Sequence, residues 1–80
     1  DTEGLVNYAL SIEGVNVAIM LTQRKDFIRL SFRSKGKFPV NIIANNEFEG
    51  GGHINAAGGN SNLSMPETID KLRQVMSQYI

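Results

Sequence analysis

The chain has 80 residues, no cysteine, and eight basic side chains balanced by eight acidic ones, so its formal net charge is zero. A chain of this length forms one small domain, and the lack of cysteine excludes a disulfide framework and a thiolate metal site. The net charge of zero argues against a protein that binds nucleic acid mainly through a large positive charge. No apolar run approaches the ~18 residues of a membrane span, and no secretory leader is visible. We therefore expect a cytoplasmic protein that makes no contact with a membrane.

The first half of the chain predicts one helix and one β-hairpin. Thr2 can cap a helix, and apolar residues at helical spacing then predict a helix over residues 3–12, which Gly14 ends. Large apolar residues occupy every second position over residues 15–22 and again over residues 27–34, and a polar break of hairpin length separates the two runs. These two runs predict an antiparallel hairpin.

The second half predicts two more helices around an extended segment. Pro39 suits the first turn of a second helix, and Gly50–Gly52 end it. Residues 53–63 predict one helical turn followed by an extended segment. The capping-box pattern in Ser64–Glu67 begins a last helix over residues 65–79. This order of elements predicts an α+β fold, in which about three helices pack on a small mixed or antiparallel sheet made of the hairpin and a third strand.

The neutral total hides a separation of charge along the chain. Residues 24–37 hold six basic side chains and one acidic one, a net +5, whereas the rest holds two basic and seven acidic side chains, a net −5. The basic segment has two interpretations: a solvated strand face with its turn, or a local anion site on an otherwise acidic domain. Arg33 ends a strand, and its planar guanidinium could hold a phosphate through two hydrogen bonds, with Ser34 and Lys35 as further donors. A solvent-exposed strand end is the alternative for Arg33.

The sequence GGGHINAAGG, residues 50–59, is the most informative stretch. Three glycines permit close approaches that other residues do not, and a helical turn after them would direct free N–H groups at a bound anion. His53 at that junction could donate a hydrogen bond or carry a positive charge. The small side chains of Ala56 and Ala57 would leave space for a ligand. The alternative is a glycine turn in which His53 is an ordinary surface residue. The GK[ST] sequence of a P-loop does not follow the glycines.

The sequence supplies few catalytic groups. With one histidine and no cysteine, a Cys–His pair is excluded, no GxSxG nucleophile elbow is present, and the carboxylates do not cluster as metal ligands do. Among the eight asparagines, Asn55 is the candidate for reading a base edge or a sugar hydroxyl, although asparagine also favours turns. These features predict a binding module with no catalytic and no metal-ligating residue of its own.

The GGGHINAAGG stretch resembles the GGGHxxAAGG hallmark of the DHH-associated type 1 domain, the C-terminal substrate-binding domain of DHH-family phosphoesterases. TEGLVNYAL (residues 2–10) and SFRSKGKFPVNIIA (residues 31–44) resemble the corresponding segments of the branch that cleaves short RNAs and 3′-phosphoadenosine 5′-phosphate. The resemblance covers most of the chain. It implies a parent enzyme whose separate N-terminal DHH domain holds two manganese ions and hydrolyses the phosphate ester, while this domain clamps the nucleotide.

The resemblance also implies roles for individual residues. Those it implicates in substrate binding are Gly51, Gly52, His53, Ala56 and Ala57 in the hallmark, and Arg33, Ser34 and Lys35 at the strand end. Arg33 matches a strand-end arginine that contacts a substrate phosphate. The implied partners are short RNA or nucleotide phosphates and the DHH domain, and no cofactor is expected in this chain.

Two parts of the family pattern are absent from the sequence: the catalytic DHH motif, and a strand that usually precedes the TEG helix. We therefore expect a single-domain fragment, residues 1–80, that is inactive on its own and lacks its first strand. An unpaired sheet edge would favour a homodimer. Two other functions stay open. One is a general single-stranded nucleic-acid-binding module. The other is a different branch of the family: a RecJ-like exonuclease, a cyclic-dinucleotide phosphodiesterase or an exopolyphosphatase.

Overall fold

The computed structural model describes residues 4–12 and 14–80, which form a five-stranded antiparallel sheet covered on one face by two helices. The elements are β1 (Leu5–Ile12), β2 (Val15–Gln23), β3 (Ile28–Ser34), α1 (Val40–Glu47), β4 (Gly51–His53), β5 (Ala56–Ser61) and α2 (Met65–Tyr79). The strand order is β1-β2-β3-β5-β4, and every neighbouring pair is antiparallel. The predicted α+β class is confirmed, with two helices in the described residues where about three were expected.

Strand β1 replaces the predicted helix over residues 3–12, and that prediction is wrong. Exposure alternates along β1: Val6, Tyr8 and Leu10 are half-buried, and the residues between them are exposed. A short isolated helix is marginal in water, whereas β1 pairs with β2 along its whole length through a short turn. Gly14, with a φ of +84°, lies in that turn instead of ending a helix. The predicted cap at Thr2 lies outside the described residues.

The remaining strands confirm one prediction and correct another. Strands β2 and β3 form the predicted antiparallel hairpin, and β5 is the third strand, paired with β3. The predicted helical turn after the glycines is wrong, because β4 is a short edge strand that turns back onto β5. Glycine has a low helix propensity, and the extended backbone of β4 finds its hydrogen-bond partners along β5 instead.

Both helices begin within a residue of their predicted positions. Pro39 is the residue before α1 and does not belong to its first turn. At the start of α2, the Ser64 hydroxyl accepts a hydrogen bond from the Glu67 N–H, and the Glu67 carboxylate accepts one from the Ser64 N–H, which confirms the capping box. The Lys71 ammonium of α2 donates to the carbonyl oxygen of Glu47 at 2.6 Å, so α2 also caps the end of α1.

The hydrophobic core lies between the two helices and one face of the sheet. Its largest fully buried apolar side chains are Phe32, Phe48, Ile19, Leu21, Ile28, Leu30, Ile43, Leu72, Met76 and Val40. Phe32 of β3 and Phe48 after α1 pack with their ring centroids 5.6 Å apart. In the part of the chain that the structure describes, no helix is long and apolar enough to cross a membrane. The opposite face of the sheet, which neither helix covers, is called the open face below.

Candidate functional site

The register of the sheet aligns five residues of the open face in one cross-strand row. The direct partners are Ala9 and Ala18, Ala18 and Arg33, Arg33 and Ala56, and Ala56 and His53. Directly paired residues of an antiparallel sheet lie on the same face, and Arg33 and His53 are both exposed. Its three members on β3, β5 and β4, which are Arg33, Ala56 and His53, are called the Arg33–His53 row. It brings together the two side chains that the sequence had placed in separate candidate sites.

Arg33 and His53 stand on either side of Ala56. Neighbouring strands lie about 4.8 Å apart, so the backbones of Arg33 and His53 are separated by about 10 Å, with a single methyl group between them. The Arg33 guanidinium donates from Nη1 to the carbonyl oxygen of Phe32 at 2.8 Å, which leaves its other N–H groups for a ligand. An anion above Ala56 can therefore accept hydrogen bonds from Arg33 on one side and from His53 on the other.

The three consecutive glycines of the GGGH sequence meet different constraints. A Cβ on Gly50 would collide with the carbonyl oxygen of Gly58. Gly52 has a φ of +144°, and a Cβ there would lie 2.7 Å from the carbonyl oxygen of Ala56. A Cβ on Gly51 would meet nothing within 4 Å. The fold therefore requires glycine at Gly50 and Gly52, whereas glycine at Gly51 only keeps the space above the sheet open.

Arg29 adds a second guanidinium to this part of the open face. Gly51 pairs with Gly58, and the Arg29 side chain lies over Gly58, with its Nη2 2.5 Å from where a Cβ of Gly58 would stand. Arg29 also donates from Nη1 to Asn60 Oδ1 at 3.3 Å. Arg29 was not among the site residues predicted from the sequence. Strand alternation is the signal that could have identified it, because Arg29 and Arg33 are four residues apart on one strand.

Ser34 and Asn55 are engaged within the fold. Asn55 Nδ2 donates to Ser34 Oγ and to the carbonyl oxygen of Gly36, both at 3.0 Å. Ser34 Oγ donates to the carbonyl oxygen of Phe38 at 2.8 Å, and the Ser34 N–H donates to the carbonyl oxygen of Asn55 at 3.1 Å. These bonds fasten the β4–β5 turn to the loop before α1. Ser34 and Asn55 thus hold the two ends of the row in place, and both amide hydrogens of Asn55 are used in doing so.

Ala57 and Lys35 lie away from the centre of the row. Ala57 is 6% exposed and belongs to the core on the other face of the sheet. Its Cβ lies 3.1 Å from where a Cβ of Gly52 would stand, so Ala57 packs beneath β4 and does not line the exposed surface. Lys35 is exposed in the loop after β3 and borders a groove of the open face together with Arg33.

The open face carries positive charge. Arg29 and Arg33 lie on it, whereas the acidic residues of the described chain lie in loops and on the helices. This separation favours a local anion site over a merely solvated strand. The described residues contain no group of three or more His, Asp or Glu side chains that could hold a metal ion. The arrangement can therefore bind an anion.

Comparisons with known proteins agree with this architecture. The sequence profile of the DHHA1 domain matches residues 1–80. A crystal structure of an exopolyphosphatase-related protein from Bacteroides fragilis superposes with a TM-score of 0.78 at 39% identity, over 86% of this chain and 20% of that chain. This chain thus corresponds to a minor part of that protein's length. No curated protein matches the chain in sequence.

Proposed function

The chain belongs to the DHHA1 domain family, and on that premise we propose that it is the substrate-binding domain of a manganese-dependent phosphoesterase acting on short oligoribonucleotides or 3′-phosphoadenosine 5′-phosphate. The Arg33–His53 row carries this proposal, because it joins the strand-end arginine and the GGGH sequence in one anion site. A phosphate above Ala56 would accept charge-assisted hydrogen bonds from Arg33, and Gly51 leaves room beside it.

The domain would bind the substrate and leave bond cleavage to another part of the enzyme. The described residues hold no metal-ligand cluster, and the chain covers only 20% of the exopolyphosphatase-related protein. We propose that a DHH domain with two manganese ions covers the open face and activates the attacking water. The role of Arg33 and His53 is then to hold the substrate phosphate at a fixed place above the sheet. A homodimer and a cytoplasmic location stay predictions.

Arg33→Ala and His53→Ala should each weaken phosphate binding. We expect dissociation constants for 3′-phosphoadenosine 5′-phosphate at least about tenfold higher than in the wild-type chain, since a hydrogen bond to a charged group contributes about 1.5–3 kcal/mol. Chemical-shift titration of the isotope-labelled chain by NMR measures this constant even where binding is weak.

Lys25→Ala is the matched control for these variants. Lys25 is an exposed cation of the same basic segment, and it lies in the β2–β3 turn outside the row. We expect its variant to bind like the wild type. Unchanged affinity in Arg33→Ala and His53→Ala would contradict the site assignment. An equal loss in Lys25→Ala would contradict it too, because binding would then depend only on net charge.

Binding of polyphosphate is a second candidate function. The similarity to an exopolyphosphatase-related protein favours it, and so does Arg29, which could hold a further phosphate beside the row. Tripolyphosphate that binds more tightly than a nucleotide, and that loses affinity in Arg29→Ala, would support this candidate.

A general single-stranded nucleic-acid-binding module has less support. Such modules stack bases on exposed aromatic side chains beside a basic groove. Phe32 is fully buried in the core, and Phe27 lies in the β2–β3 turn. Affinity that rises with strand length and falls steeply with salt would favour this module over recognition of a terminal nucleotide.

A further inference from the structure

The junction between α1 and β4 sets the direction in which the GGGH sequence begins. Only Phe48, Glu49 and Gly50 separate the end of α1 from β4. The N–H groups of Phe48 and Gly50 both donate to the carbonyl oxygen of Ala44, at 3.1 and 2.9 Å. Glu49 between them has a φ of +52°, the left-handed conformation in which helices commonly end. Because the junction is this short, a change at the end of α1 would move β4.

Phe48 attaches this junction to the sheet. Its ring is buried and packs against Phe32 of β3. The Asn60 N–H donates to the carbonyl oxygen of Phe48 at 2.7 Å. The Cβ of Phe48 lies 2.8 Å from where a Cβ of Gly59 would stand, so Phe48 packs directly against β5. Phe48 therefore joins the end of α1 to the strand that carries Ala56.

Lys71 of α2 holds the same junction from the helical layer. Its ammonium donates to the carbonyl oxygen of Glu47 at 2.6 Å and lies 4.7 Å from the centre of the Phe48 ring. The helix dipole favours a cation at a helix C-terminus, and the quadrupole of an aromatic ring favours a cation over its face. Tyr79, also on α2, donates from its hydroxyl to Glu47 Oε2 at 3.2 Å. The contacts of Lys71 with Glu47 and Phe48 are called the Lys71 clasp.

Strand β4 depends on its two ends for its position. It is a strand of three exposed residues, Gly51–His53, at the edge of the sheet, where it pairs with β5. Two of the three are glycines, so side-chain packing contributes little to holding it. At its far end the Val40 N–H donates to the carbonyl oxygen of Ile54 at 2.9 Å. The near end follows the junction after α1, and therefore the Lys71 clasp.

Arg33 lies on a strand that the clasp does not hold. Strand β3 lies inside the sheet and pairs along its length with β2 on one side and β5 on the other. Of the two donors in the Arg33–His53 row, only His53 lies on β4. A disturbance at the end of α1 should therefore displace His53 and leave Arg33 in place.

We propose that Lys71 is a positioning residue for the phosphate site, acting through the clasp on β4 and His53. This inference rests on the proposed function and goes beyond it, because it names a residue on which the site depends without contact with the ligand. Lys71 lies in the helical layer, and the phosphate would lie on the opposite face of the sheet. Removing the ammonium should therefore remove the contribution of His53 to binding and keep that of Arg33.

A double-mutant cycle in dissociation constants for 3′-phosphoadenosine 5′-phosphate, measured by NMR titration, tests this dependence. Lys71→Met keeps a long unbranched side chain and removes the ammonium. We expect it to raise the dissociation constant about fivefold in the wild-type chain and in Arg33→Ala, as for a residue that acts on a site from a distance. In His53→Ala we expect a change of less than about twofold, because the group that Lys71 positions is already absent. Lys71→Arg keeps a cation beside Phe48 and should bind like the wild type.

Arg73→Met is the matched control, because Arg73 is an exposed cation on the same helix. We expect this variant to bind like the wild type. Urea denaturation checks that each variant is folded under the conditions of the titration, and Lys71→Gln replaces Lys71→Met if that variant is not. A general loss of stability would weaken binding equally in every background, whereas loss of the position of His53 would not.

The outcomes separate the inference from the proposed function. Weaker binding in Lys71→Met that Lys71→Arg restores, and that is absent in the His53→Ala background, would support the inference. An equal effect of Lys71→Met with and without His53 would overturn it. So would unchanged affinity in Lys71→Met when Arg33→Ala and His53→Ala both bind more weakly. If those two variants bind as tightly as the wild type, the phosphate site itself is overturned, and the inference falls with it.

Discussion

The fold requires glycine at some positions of the GGGH sequence and not at others. Substitutions at Gly50 and Gly51 should show this difference as a difference in stability. At Gly50 a methyl group would collide with the Gly58 carbonyl oxygen, so β5 or the start of β4 would have to move. We expect Gly50→Ala to lower the free energy of unfolding by about 3 kcal/mol or more, measured by urea denaturation. Gly51→Ala should stay within about 0.5 kcal/mol of the wild type and yet bind phosphate more weakly. Equal destabilisation by both substitutions would contradict this distinction.

Residue types alone could indicate the chemistry of the site but not its members. The guanidinium of Arg33 and the imidazole of His53 were chosen as candidates for an anion site because both groups donate hydrogen bonds, and the structure brings the two residues into one cross-strand row. Asn55 was chosen for its amide, which the structure shows to be bonded to Ser34 and Gly36. Ala57 belonged to the same hallmark, yet strand alternation turns its side chain into the core.

Among the elements, α2 is stabilised by its capping box, and we expect the size of that stabilisation to depend on pH. Hydrogen bonds from Ser64, first its backbone N–H and then its hydroxyl, lower the pKa of Glu67 below its ordinary value of 4.5. A carboxyl group whose pKa is lowered on folding makes its full contribution to stability at pH values above its pKa in the unfolded state. This stabilisation is lost as the pH falls through the folded pKa. We expect the Tm difference between wild type and Glu67→Gln to shrink below about pH 4.5. A difference that stays constant from pH 7 to pH 3 would contradict this linkage.

The elements that the sequence predicted correctly share one property, which is that their signals are local. Alternation over residues 15–22 and 27–34 and the capping box at Ser64 each act within a few residues of the chain. Residues 5–12 carry both a helical spacing and an alternation of apolar residues, so local pattern does not decide between them. Pairing with β2 decides for the strand, because it satisfies the backbone and places Val6, Tyr8 and Leu10 against the core side.

For the whole molecule, the 80-residue chain alone should bind nucleotide weakly and hydrolyse none. Its open face can hold an anion, but the described residues provide no cluster that could bind a metal ion. The test is release of inorganic phosphate from 3′-phosphoadenosine 5′-phosphate with manganese present. Clear metal-dependent turnover by this chain would contradict the division between a binding and a catalytic domain. A longer protein that adds a DHH domain to the chain should turn the same substrate over.

The sequence by itself determined the α+β class, the β2–β3 hairpin, the last helix, the +5 segment and the GGGH sequence, because each depends on neighbouring residues. The tertiary structure alone decided that residues 5–12 form a strand and that the glycines lead into a hairpin. It also decided that Arg33 and His53 meet across Ala56. The physical reason is sheet register: β3 and β5 are separated in sequence by α1 and β4, and only the backbone hydrogen bonds between them align Arg33 with Ala56, while the β4–β5 hairpin places His53 on the other side of Ala56.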